Sequence, residues 1–257
     1  MIKKPSFAGL FYPETYSEVA DMINSFKVDS SFDSSVKAII VPHAGYVYSG
    51  QTAAKVYSLL DSKSYDRVFI VAPSHRYSFK GVTVSRYDSF LVPDQNLEGD
   101  IEIYEYLQSE MKIDFIEKVF RDEHSYEVQL PMIKYFLGDK KTGGLIYSDV
   151  DPVMLAEILQ KLVGKFSKTL IVISTDLSHF KNLNNCKITD QYIIDGLLNN
   201  SMEMVVRGEA CGMTGILAIM EYVKRNGLSI KLIDYSTSAN CSGDENRVVG
   251  YGGFVIC

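Results

Sequence analysis

Ala38-Ile39-Ile40-Val41-Pro42-His43-Ala44-Gly45-Tyr46 is the stretch on which the reading of this chain turns. Its apolar run is short, β-branched and without polar alternation, the pattern of a strand buried on both faces of a parallel sheet. Pro42 ends the run, Gly45 allows a sharp exit, and a histidine stands between them. Two further runs repeat the arrangement. Val68-Phe69-Ile70-Val71-Ala72 leads into Pro73-Ser74-His75-Arg76, and Leu170-Ile171-Val172-Ile173 leads to Asp176-Leu177-Ser178-His179. The fourth and last histidine of the chain lies in Asp122-Glu123-His124-Ser125. Ligands of open α/β sheets bind beyond the carboxyl ends of the strands. Three imidazoles delivered to that edge therefore point to one site for a metal or for acid–base chemistry.

Outward from these runs, strands alternate with helices. Apolar residues at helical spacing predict helices over 14–26, from about Ser49 to Leu60, over 101–111 and over 152–166, the last capped by Asp151. Ser125 is the expected cap of a helix through Phe136, with Pro131 in its first turn or at a kink. The 186–226 stretch reads as mostly helical with a break near Gly208 to Gly212. Additional strands are expected over 81–84, 144–147, 230–235 and 248–256. The polar 28–35 segment reads as a loop and 88–100 as a long connection. These elements make an α/β fold, with a central mixed, largely parallel sheet flanked by helices. No composition break, linker or repeat divides the chain, so a single domain over 1–257 is expected.

The net charge of −6 lacks the basic balance of a nucleic-acid footprint. No apolar run has the length of a membrane span, and Met1-Ile2-Lys3-Lys4-Pro5 does not lead into the apolar core of a signal peptide. The four cysteines have neither CxxC spacing nor the density of a disulfide scaffold, as suits cytosolic thiols. A cytoplasmic protein with no nucleic-acid and no membrane partner is the expectation.

His43 and His75, in equivalent positions after two strands, are the first metal-ligand candidates, since imidazole suits zinc, iron and copper. Asp176 stands three residues before His179. On a helical turn the two would share a face, with Asp176 orienting a ring or ligand and His179 acting as general acid or base. Asp176 would serve equally as a helix cap. Asp122-Glu123-His124-Ser125 reads either as a metal-binding cluster, with a carboxylate behind a ligating ring, or as an acidic helix start. Cys211 sits in a glycine-rich break before a helix, where a thiol tends to have a lowered pKa and serves as ligand or nucleophile; a small apolar filler is the other reading. Tyr46 and Tyr48 flank His43 and are candidates to line the pocket.

Together these motifs resemble the Memo family, whose prokaryotic members are called AmmeMemoRadiSam system protein B. The resemblance rests on Ala8-Gly9-Leu10-Phe11-Tyr12-Pro13, on 42–50, on Ala72-Pro73-Ser74-His75 and on 122–131. It also rests on 174–180, Cys211-Gly212 and Tyr235-Ser236-Thr237-Ser238. It implies a fold similar to the class III extradiol ring-cleaving dioxygenases, which bind non-haem Fe(II). It further implies metal ligation by His43, His75 and Cys211, with Asp176, His179 and His124 beside them in catalytic roles. Where those dioxygenases use a carboxylate, the matching position is Cys211, a softer ligand suited to zinc, Cu(I) or iron. Iron or copper is the expected cofactor, with zinc as the alternative. The family name also implies a pathway link to AMMECR1-like and radical-SAM proteins.

Three functions are compatible with these residues. The first is a metal-dependent redox enzyme acting on an unknown small molecule. The second is a non-catalytic module that binds a peptide or partner in the same pocket, with exposed aromatics such as Tyr46 or Tyr48 at its mouth. The third is a zinc hydrolase with His179 or Glu123 as base.

Overall fold

The computed structural model describes residues 1–28 and 35–257, so the loop expected over 28–35 falls almost wholly outside the described residues. The strands are β1 (Ile2–Lys3), β2 (Ala38–Val41), β3 (Arg67–Pro73), β4 (Val82–Val84), β5 (Ser89–Val92), β6 (Gln95–Glu98), β7 (Lys141–Tyr147), β8 (Thr169–Ser174), β9 (Ile230–Thr237) and β10 (Gly250–Ile256). Among the described residues, seven of them form one sheet in the order β4-β7-β3-β8-β2-β10-β9. The four neighbours β7, β3, β8 and β2 run parallel; on one side β4 pairs antiparallel with β7, and on the other β10 pairs antiparallel with both β2 and β9. The expected α/β architecture with a mixed central sheet is the one that forms.

Successive side chains of a strand point to opposite faces, and the middle residues of β2, β3 and β8 are apolar on both faces for that reason. Ile39, Val41, Ile70, Ala72 and Val172 face a core closed by helices Tyr46–Tyr57 and Gln129–Leu137. Ile40, Phe69, Val71, Ile171 and Ile173 face the other, closed by helices Pro152–Lys165 and Met213–Asn226. Each fully buried isoleucine of this kind contributes about 2 kcal/mol of transfer free energy. Because β3, β8 and β2 are adjacent, the segments after them, carrying His75, Asp176 with His179, and His43, leave the sheet side by side.

Several expectations are corrected. The 88–100 stretch is not an irregular connection: β5 and β6 form a hairpin across Pro93-Asp94, and β1 joins β5 to make a separate three-stranded sheet. Alternating Phe90, Val92 and Leu97 are buried under it. The helix after His43 begins at Tyr46, not Ser49, because the Phe11 carbonyl accepts the Tyr46 N–H that the first turn leaves without a partner. Glu123, not Ser125, caps the helix at His124–Glu127, accepting from the Ser125 N–H, while the Ser125 hydroxyl donates to the Pro73 carbonyl. Pro131 lies in the first turn of Gln129–Leu137, as expected. Residues 176–179 are not helical. Leu177 N–H donates to Gly250 O and Gly250 N–H to Ser178 O, so this segment pairs with the start of β10, and the next helix begins only at Leu183 with Asn182 as its cap.

Candidate metal centre

His43, His75 and His124 converge, each offering a ring nitrogen within 4.8 Å of the others. The ring centroids lie 5.2 Å (His43–His75), 5.3 Å (His43–His124) and 4.7 Å (His75–His124) apart. β2 and β3 deliver the first two rings, and the short helix His124–Glu127, packed against β3, delivers the third.

The hydrogen bonds around the rings decide which nitrogen each presents. Glu123, wholly buried, has its Oε1 2.9 Å from His75 Nδ1 and 3.1 Å from His124 Nδ1. Its Oε2 accepts the His75 backbone N–H at 2.5 Å. Burial alone would raise this carboxyl's pKa, but the hydrogen bonds from His124 and His75 outweigh it and hold it well below the usual carboxylate range. An ionised carboxylate only accepts, so both rings carry their proton on Nδ1. His43 reaches the same tautomer differently. Its Nδ1 lies 3.0 Å from Ser174 Oγ, and the one Ser174 hydroxyl proton goes to the Ser125 carbonyl at 2.6 Å. His43 Nδ1–H must then be the donor. Gln129 Nε2 donates to the same Oγ and to the Pro42 carbonyl, both at 2.9 Å. All three rings therefore leave Nε2 unprotonated.

Cys211 Sγ lies 3.2 Å from His43 Nε2, and with that nitrogen unprotonated the thiol is the donor. The Asp176 N–H donates to the same sulfur at 3.2 Å. Gly212 allows this approach: a Cβ there would fall 2.5 Å from Thr175 Cβ, and its N–H donates to Thr175 Oγ1 at 2.8 Å. The lowered thiol pKa expected from the nearby helix start is corrected. Burial first, then the Asp176 charge, pushes Cys211 up to about 12. Cys211 thus flanks the three-imidazole group at His43 without belonging to it.

Asp176 caps no helix. Its Oδ1 accepts the backbone N–H groups of His43 at 2.7 Å and Ala44 at 3.3 Å, binding the end of β8 to the end of β2. Burial raises its pKa against those hydrogen bonds. His179, partly exposed, lies within electrostatic reach of both Asp176 and His43. Burial foremost, then the charges of His124 and His75, lowers the pKa of His43 and keeps its ring neutral.

Three contributions were not read in the sequence. Phe11 packs its ring 4.6 Å from that of His124, and Phe7 lies 5.9 Å from it. The segment bearing both is tied down by buried Glu127. Its Oε1 accepts from Ser6 N–H and Phe7 N–H at 2.8 Å and from Tyr12 Oη at 2.7 Å, and Lys3 pairs with Oε2. Ser174 and Gln129 hold His43. The available signal was a glutamate and a glutamine inside an otherwise apolar Tyr126–Leu130 stretch, where polar groups must find partners. Tyr46 does not line the pocket: it is buried, with its hydroxyl donating to Val128 O at 2.8 Å, whereas Tyr48 is exposed. Glu123, with both oxygens engaged, is not available as a base. No helix among the described residues is long and apolar enough to cross a membrane.

The family model described as Memo-like protein matches residues 3–255. A MEMO1 family protein of Archaeoglobus fulgidus is 33% identical over 266 residues, with 99% of both chains covered. Another, from Nitrosopumilus maritimus, is 31% identical with 98% of both covered. A solved structure of an uncharacterized protein from Escherichia coli K12 shares the fold, with a TM-score of 0.55 at 13% identity, covering 86% of this chain and 99% of that one. With a family match over nearly its whole length and relatives aligned end to end, the chain belongs to the Memo family.

Proposed function

We propose that this protein is a metal-dependent oxidoreductase acting on a small molecule, with iron or copper held by His43, His75 and either His124 or the Cys211 thiolate. The observation that carries the reading is the common tautomer: three imidazoles with Nδ1–H engaged and Nε2 unprotonated, that of His43 meeting only the displaceable Cys211 thiol. Carboxylate- and hydroxyl-backed rings of this kind are what a transition metal requires of its surroundings. The donor set of neutral nitrogens and one soft sulfur suits iron, copper or zinc rather than magnesium or calcium. Such an ion, when bound, supplies Lewis acidity and, for iron or copper, a one-electron couple. The chain's own groups do the rest. Glu123 fixes two rings, Ser174 and Gln129 fix the third, and Phe11 covers His124 and keeps water from that side. His179, partly exposed beside Asp176, is the group that moves a proton to or from substrate.

A zinc-dependent hydrolase is the second reading, because three histidines with an open position are also a catalytic zinc set. Anaerobic purification with subsequent elemental analysis separates the two, with His43→Ala as control. Near-stoichiometric iron or copper, lost in the variant, supports redox chemistry. Zinc transfers the weight to hydrolysis, and absence of any bound or titratable metal overturns both.

A further inference from the structure

A cavity of about 440 Å³ adjoins the imidazole cluster and is lined by Ser6, Phe7, Arg76, Tyr77, Arg121 and Asp122. It shares a wall with the cluster, since Phe7 is the ring that meets His124 edge-on. Its charged residues are chain neighbours of the candidate ligands: Arg76 comes directly after His75, and Arg121-Asp122 precede Glu123-His124. Asp122 is already neutralised. Arg121 grips it with two hydrogen bonds, at 2.9 and 3.3 Å, and the Tyr77 hydroxyl donates to it at 2.5 Å. Arg76 has no salt-bridge partner among the described residues, and Lys118 Nζ stands 5.1 Å over the Tyr77 ring. Two guanidinium groups thus line the cavity with one carboxylate, with Lys118 behind Tyr77 and Glu117 within electrostatic reach of Arg121, on a protein whose net charge is −6. A local reversal of sign beside a reactive cluster concentrates anions there.

We infer that this cavity is a binding subsite for an oxyanion, a carboxylate or phosphate group of the substrate, held by Arg76 with Arg121, so that the rest of the molecule reaches the imidazoles past Phe7. The open guanidinium fork of Arg76 matches either oxyanion in bidentate geometry, and Arg121, its Nε–H and one Nη–H held by Asp122, adds its remaining N–H groups. Ser6 adds a hydroxyl donor at the rim, while the Tyr77 hydroxyl stays committed to Asp122. The inference builds on the metal reading by naming the substrate class, and its test is made without metal.

Metal-free protein is titrated separately with inorganic phosphate and with succinate, monitored by amide and guanidinium NMR shifts. Saturable shifts at Arg76 and Arg121 are expected. Arg76→Gln, an exposed change, should weaken binding about tenfold. Asp122→Asn, which removes the competing negative charge, should tighten it about threefold. The anion that binds more tightly identifies the substrate group. Absence of saturable shifts with both anions, or equal affinity in wild type and both variants, overturns the subsite. Metal binding by wild type, measured in parallel, tells the two failures apart: anion binding without metal binding removes only the metal reading.

Discussion

His43 Nε2 and Cys211 Sγ, 168 positions apart in sequence, face each other at 3.2 Å. The thiol is half-buried and desolvation with the Asp176 charge pushes its pKa up to about 12, so in the metal-free protein it is S–H at neutral pH. A metal that takes Cys211 as ligand must displace that proton, whereas neutral imidazoles release none. Calorimetry in buffers of different ionisation enthalpy should therefore show release of about one proton per metal bound, with affinity rising as pH rises. Zero release, unchanged in Cys211→Ser, would exclude the thiolate and leave the three histidines as the whole donor set.

Glu123→Gln keeps the shape of the side chain but removes the charge that holds two rings in one tautomer. An amide oxygen replaces the acceptor and an amide nitrogen cannot accept at all. Metal affinity should fall by about 10- to 100-fold. Competition with a chromogenic chelator measures it, and wild-type affinity in the variant would show that Glu123 does not act through the imidazoles.

The same carboxylate has a pH signature. Its folded pKa lies below the ordinary value of 4.5, so its contribution to stability is present above that value and is lost as pH falls toward the folded pKa. The stability gap between wild type and Glu123→Gln should be full near neutrality and shrink as pH drops below 4.5. Urea unfolding midpoints across that range test it; a gap that widened on acidification would have the wrong sign.

Glu127→Ala should be among the most destabilising single changes. It strands Lys3, 4% exposed, and leaves the Tyr12 hydroxyl and the N–H groups of Ser6 and Phe7 without their acceptor. Removing one member of a buried pair costs about 3 to 5 kcal/mol. Denaturant unfolding gives the loss. Limited proteolysis should cut near Phe7 to Tyr12, and metal binding should weaken as Phe11 loses its place on His124.

Gly212→Ala tests the approach of Cys211. The added methyl would meet Thr175 Cβ at 2.5 Å and backbone oxygen of Ser174 at 3.2 Å. Overpacking of this kind costs about 1 to 3 kcal/mol. If Cys211 ligates, the shift it forces should also lower metal affinity; a stability loss with unchanged affinity would make Cys211 a packing residue.

By itself the sequence determined the sheet and its working edge. Ala38–Val41, Val68–Ala72 and Leu170–Ile173, short, β-branched and without polar alternation, read as buried parallel strands, and the residues directly after such strands lie at one edge. That alone puts His43, His75 and the Asp176 segment together. Only the tertiary structure decided the partners. His124 joins His43 and His75 because a four-residue helix packs on β3, a contact no periodicity reports. Asp176 turns from helix cap to clamp on the His43 backbone because Gly250 offers its neighbours a strand partner. The Cys211 thiol, expected to be acidic at a helix start, is instead hard to ionise, since burial and the Asp176 charge outweigh the hydrogen bonds from Thr175 and the backbone of Asp176 and Gly212. The hairpin of β5 and β6 went unread because its strands are only four residues long and the proline at its turn hid their alternation. Patterns along a chain record which groups avoid water. Which nitrogen of a ring bears its proton depends on acceptors supplied by distant segments, and those meet only in the fold.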